Sequence, residues 1–177
     1  LAEEACLQSG VQLHFYEIPT KVSETEKGWK VETVGKSMRR TIMTKQLIDC
    51  TGGANIVGVI GLPRLREDET QPGTLIFKLG GYDIESLDDE IIQAHFLAAI
   101  EDGRLQPGDV SNPRGRFINF LRNGGENAQH VFEADASTSD RHTKTNIAGR
   151  QSLLRVLRFV RSLPGCENAC EIGRAHV

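Results

Sequence analysis

Lys45-Gln46-Leu47-Ile48-Asp49-Cys50-Thr51-Gly52-Gly53-Ala54-Asn55 is the stretch whose residue types and order best suit chemistry: a short apolar run that ends in a glycine pair. A backbone passing close to a bulky ligand favours glycine, because any Cβ would fill the space the ligand needs. Leu47 to Thr51 reads as a buried strand, and Ala54 to Val59 reads as the start of a helix whose free N–H groups would face an anion. At the carboxyl edge of a strand in an α/β protein, that combination marks a nucleotide site. An ordinary strand-to-helix turn fits the same residues equally, since glycine pairs punctuate many loops.

Other chemistries find little support. No His, Asp and Glu grouping has metal-ligand spacing, so no metal is expected, and no elbow motif presents a nucleophilic serine. Cys6, Cys50, Cys166 and Cys170 lack a zinc-like pair of pairs; Cys6 and Cys50 sit in apolar contexts suited to reduced core thiols, which points to a reducing, cytoplasmic setting. A net charge of -3 gives no global footprint for nucleic acid, and the basic runs 36–40 and 150–161 read as an exposed turn and the solvent face of a helix. No apolar run is long enough to span a membrane. Oligomeric state is not readable.

The elements that must position the glycine turn follow from periodicity. Leu1 to Gln8 reads as helix, closed by Ser9-Gly10, as if the chain began within a domain. Val11, Leu13 and Phe15 alternate with polar neighbours as in a half-buried strand. After the polar turn Glu24 to Gly28, Trp29 to Thr33 and Met38 to Met43 form an antiparallel meander around Gly35-Lys36-Ser37. A boundary falls between Pro63 and Gly73, dividing residues 1–63 from 64–170. Beyond it lie a strand over Thr74 to Leu79 and a helix over Leu87 to Glu101 with Leu87, Ile91, Ala94 and Ala98 inward. A Pro/Gly-rich loop over 105–114 leads to short strands over Arg116 to Leu121 and Gln129 to Phe132, split by Asn123-Gly124-Gly125. Thr143 to Leu163 is a long helix with Ile147, Leu154, Leu157 and Val160 inward. Residues 171–177 resemble translated sequencing-adapter DNA, as at the edge of an incomplete gene, and are set apart from the fold.

Taken in order, these stretches resemble the FAD-dependent oxidoreductases of the glutathione-reductase-like type, in particular a bacterial family of that general description. The likeness rests on Gly10 to Phe15 with the meander behind it, on Lys45 to Asn55 followed by Gly61-Leu62-Pro63, and on Asn146 to Gln151 with the long helix and Leu163 to Ala169. Gln71 to Leu75 with Gly80-Gly81-Tyr82-Asp83 adds a fourth stretch. The resemblance implies an α/β fold, α+β within this fragment: part of a Rossmann-like FAD-binding domain with an inserted antiparallel meander, then the start of a substrate-facing capping domain. It also implies that Thr51 and Gly52 contact FAD, with Gly53 and Ala54 beside them, Thr51 offering a hydroxyl to a phosphate or ribose oxygen. Asp49 is expected to bond neighbouring backbone N–H groups rather than the cofactor. Gly53 and Asn55 depart from the acidic residues usual there, so the backbone carries the expectation.

The same resemblance implies electron transfer on the flavin and a small organic substrate, which protein groups orient. It places the polar cluster Arg122, Asn123, Glu126, Asn127, Gln129 and His130 on the substrate side. His130 is a candidate proton donor or anchor, against a hydrogen-bonded structural histidine; Arg150 is a candidate partner for a substrate carboxylate, against a structural ion pair. The family's G-x-G-x-x-G fingerprint does not occur in the 177 residues, so this chain alone is expected to bind FAD feebly or not at all. The competing function is a non-catalytic carbohydrate- or nucleotide-binding module.

Overall fold

The computed structural model describes residues 1–65, 67 and 69–174. The chain divides into two compact units, Leu1–Arg66 and Glu67–Val177. Their elements are helices and antiparallel strands, an α+β arrangement, with no parallel strand pair among the described residues.

In the first unit, α1 (Ala2–Gln8) buries none of its residues and ends at Ser9, with Gly10 left-handed. Three strands follow, β1 (Ile18–Thr25), β2 (Gly28–Gly35) and β3 (Met38–Thr44), in the order β1-β2-β3. Each hairpin closes through two residues, because Thr25 pairs with Gly28 and Gly35 with Met38. Gly28 has φ +131, and a Cβ there would stand 2.2 Å from the Thr44 carbonyl oxygen, so the position demands glycine. Val22 and Ile42 flank Val31 in register, a β-branched row on one face. Ile56, from the five-residue α2 (Asn55–Val59), completes this small core, with Trp29, Leu47 and Ile60 around it.

The expected meander is present, but its first strand starts later. Val11 to Tyr16 forms no strand: Val11 and Phe15 are exposed, and Tyr16 turns the chain with φ +59. Alternation marks a potential strand, yet a strand needs a ladder partner, and this segment pairs with none of β1, β2 and β3. The segment is held instead by Glu17. Its nearly buried carboxylate accepts the Thr33 hydroxyl at 2.7 Å and pairs with Arg40 at 3.3 Å, while His14 lies 3.6 Å away. The Thr33 hydroxyl, then the Arg40 guanidinium, keep the Glu17 carboxyl below its ordinary 4.5 against the desolvation that would raise it. A folded pKa below the unfolded one contributes stability above the unfolded value, lost as pH falls through the folded one. Unfolding followed from pH 7 downward is therefore expected to show a loss of stability beginning below about 4.5, with a smaller acid dependence in Glu17→Gln. Identical acid profiles for the two proteins would remove Glu17 from this role.

In the second unit, β4 (Phe77–Gly80) lies between β5 (Gly125–Glu126) and β6 (Cys170–Arg174), antiparallel to both. Thus 171–174, set apart from the fold in the sequence, supply a sheet strand; residues 175–177 lie outside the described residues. The helices are α3 (Asp89–Glu101), α4 (Phe117–Asn123) and α5 (Ser139–Arg161). Phe96, Phe117, Phe120 and Phe159 interlock at the centre, with ring centroids of 4.6 Å for Phe96–Phe117 and 4.8 Å for Phe117–Phe120.

Three expectations change here. The expected strand over 116–121 is instead helix α4 from Phe117, with Arg116 as its extended N-cap, because a short run apolar on all sides carries no period. Gln93 accepts from the Phe117 amide at its start, and Gly124 caps its end. Gln129 to Phe132 contributes only one bridge, between Val131 and Gly73. The inward faces of both long helices are also rotated. In α3, Ile92, Phe96 and Ala99 are buried while Ile91 is half exposed, Phe96 deciding the phase. In α5, Gly149, Ser152, Leu153, Val156, Phe159 and Val160 face inward, leaving Ile147 and Leu154 about half exposed. On the inward face a Cβ at Gly149 would already be in contact, 3.4 Å from the side chains of Leu75 and Val131, which leaves little room for a residue larger than alanine.

Candidate functional site

Asp49 organises the glycine turn. Its Oδ1 accepts from the Thr51 amide at 3.0 Å and the Thr51 hydroxyl at 2.6 Å; its Oδ2 accepts from the amides of Ile56 at 2.9 Å and Val57 at 3.1 Å. Thr51 Oγ1 in turn accepts from the Asn55 amide at 2.7 Å. The Thr51 hydroxyl first, then its amide, hold the Asp49 carboxyl below the usual aspartate range, so it stays ionised. The expectation that Asp49 bonds neighbouring backbone is met.

Two expectations are corrected by the same bonds. The first amides of α2 do not await an external anion, because the Asp49 carboxylate already caps them. The Thr51 hydroxyl has no proton to give a phosphate, since it donates to Asp49. Leu47 to Thr51 is likewise neither strand nor buried: it belongs to neither sheet, and Ile48 is 80% exposed. Only Leu47 and Asp49 turn inward, so the alternation survives without a ladder. Cys50 is exposed rather than a core thiol, and Cys6 is only half buried; all four cysteines are free.

Between Thr51 and Asn55 the backbone alternates in hand. Gly52 has φ +76 and Ala54 φ +50, while Gly53 between them does not adopt positive φ. Among the described residues no group accepts from the amides of Gly52, Gly53 or Ala54, so three successive N–H donors remain available. Such concave runs of amides suit an anionic or polar oxygen. A Cβ built on Gly52 meets nothing within 4 Å among the described residues, so space is open at that position, whereas a Cβ on Gly53 would stand 3.1 Å from Asn55 Oδ1. Arg64 reaches back from beyond α2 to donate to the Gly53 carbonyl at 3.1 Å.

The substrate-side candidates are dispersed. Gln129 is fully buried and structural: its Oε1 accepts from the Leu75 amide and its Nε2 donates to the Gly149 carbonyl. His130 is half buried, with its amide donating to the Gly108 carbonyl at 2.7 Å and its ring edge-on to Phe132. Arg150 is exposed and has no ion-pair partner among the described residues; it lines a shallow recess of about 220 Å³ on α5 with His142, Thr143, Asn146 and Ile147. His130 is not part of that recess.

One polar centre escaped the sequence reading. Asp109, 1% exposed, accepts from Ser152 Oγ at 2.5 Å, from Arg155 Nε at 2.9 Å and Nη2 at 2.8 Å, and from the Gln106 amide at 2.8 Å. Ser152 and Arg155, three apart on α5, share a face, and that spacing is the signal that was there to find. With every buried bond satisfied, this is an anchor for the 105–114 loop. No group of three or more His, Cys, Asp or Glu able to hold a metal occurs among the described residues, and no described helix is long and apolar enough to cross a membrane.

The family model for FAD dependent oxidoreductases matches residues 1–174, and the chain belongs to that family. FAD is therefore its cofactor class, and its substrate is a small molecule. No curated protein and no solved structure matches the chain significantly.

Proposed function

We propose that this chain is a segment of an oxidoreductase that oxidises or reduces a small organic molecule through FAD, with the turn Thr51 to Ala54 seated against the cofactor. The observation that carries this is the set of three amides at Gly52, Gly53 and Ala54 that meet no acceptor among the described residues, beside the open space at Gly52. In this reading Gly52, Gly53 and Ala54 donate to cofactor oxygens, and Thr51 shapes the turn through its bonds to Asp49 and Asn55. Residues 1–63 form part of the FAD-binding domain, and residues 64–170 begin the substrate side. FAD, when bound, supplies the electron transfer. Arg150, without an ion-pair partner among the described residues and beside His142 and Asn146, is the residue suited to anchor an anionic substrate. His130, its backbone already fixed to Gly108, offers only its ring for proton transfer. The free cysteines suit a reducing compartment.

The protein from the complete reading frame is expected to purify yellow, with a visible absorbance that bleaches on chemical reduction and returns with an oxidant. A folded, colourless protein that takes up no added FAD overturns the proposal.

A further inference from the structure

We infer that Arg64 is a positioning residue for the cofactor turn, acting through the Gly53 carbonyl; this rests on the seating of FAD against Thr51 to Ala54 proposed above. Arg64 Nη1 donates to that carbonyl at 3.1 Å across eleven residues, a tie from the far side of α2. Gly53 sits between the two left-handed residues Gly52 and Ala54, so its peptide orientation decides where the adjoining amides point. Fixing the carbonyl toward Arg64 turns the Ala54 N–H, on the same peptide plane, the opposite way.

The helix is built to admit this side chain. A Cβ on Gly58 would lie 2.8 Å from Arg64 Cζ and 3.1 Å from both Nε and Nη1, so a side chain there would push the exposed guanidinium off its present place beside the helix. Within α2 glycine is otherwise a liability, since Ala is the better helix former. Gly58 has no positive φ to require it. The absence of a side chain at 58 is thus accounted for by the passage of Arg64. Asp49 fixes the turn from within, and Arg64 fixes it from outside.

The two residues give independent ways to break one contact. In the flavin-loaded protein from the complete reading frame, FAD dissociation is followed by flavin fluorescence and thermal unfolding is followed separately. Arg64→Gln is expected to weaken FAD about tenfold, the worth of one charge-assisted hydrogen bond. Gly58→Ala should weaken it similarly while unfolding at the same or a higher temperature, because Ala favours the helix. The double variant should lose no more than either single one, since both remove the same contact. A merely structural arginine would not weaken FAD in a variant whose stability is kept. Unchanged FAD affinity in Gly58→Ala, or losses that add in full, overturns the inference. Gly52→Val separates the two readings. If it releases FAD while Arg64→Gln and Gly58→Ala do not, only the role of Arg64 falls; if it leaves FAD bound, the seating of the cofactor falls and the inference with it.

Discussion

Asp109→Ala is expected to destabilise the second unit by about 3 kcal/mol, enough to leave a domain of ordinary stability partly unfolded. The substitution removes an acceptor that four donors converge on, two of them from one guanidinium. Ser152, 4% exposed, would then hold a hydroxyl without its partner, and Arg155 a cation whose counter-charge is gone. Breaking a buried pair from one side costs about 3 to 5 kcal/mol because the remaining charge cannot be rehydrated. Arg155 retains 27% exposure, so water recovers part of its charge and the lower end applies. Asp109→Asn keeps the shape and one acceptor but loses the charge, and should fall between Ala and the natural residue. Urea unfolding of the three proteins measures the series. Equal midpoints would mean that the 105–114 loop is held by something other than this carboxylate.

How far such a centre is legible in sequence depends on where its partners lie. The meander was readable because its information is local: alternation on β2 and β3 and polar two-residue turns at Glu26-Lys27 and Lys36-Ser37. The C-terminal ends of α1 and α3 were readable for the same reason, whereas α5 starts at Ser139, four residues before the expected Thr143, and stops at Arg161. What failed depended on a distant neighbour. Val11 to Tyr16 and Leu47 to Thr51 have the pattern of strands, but pairing is decided by which ladder edges are free. The helical run at 116–121 and the phase of α3 were ambiguous because apolar residues occupy more than one face. The buried face of α5 reads as small and polar at Gly149 and Ser152, since what it meets is the side chains of Leu75 and Val131 and the carboxylate of Asp109. At the glycine turn the sequence located the residues and the role of Asp49, and misassigned the donors: which N–H groups remain free follows only from where that carboxylate points.

Gly52→Val is expected to lower FAD affinity about a hundredfold or more in the flavin-loaded protein, the largest effect of any single change at the turn. Two causes act, and they can be separated. The first is backbone: Gly52 has φ +76, where a β-branched residue is strained, and forcing it there costs about 1 to 2 kcal/mol or else flips the peptide and redirects the amides. The second is space. Beyond its chain neighbours, no described residue lies within 4 Å of a Cβ at this position, so the valine side chain would extend into the open volume where the cofactor is proposed to lie. Loss of two hydrogen bonds to a charged group accounts for about 3 kcal/mol, the origin of the hundredfold figure. Gly52→Asn divides the two contributions, because asparagine tolerates the left-handed conformation while still carrying a side chain. It should unfold near the temperature of the natural protein and still bind FAD poorly. If Asn at position 52 restores full flavin occupancy, the backbone hand alone explains the glycine, and the open surface above the turn is not where the cofactor sits.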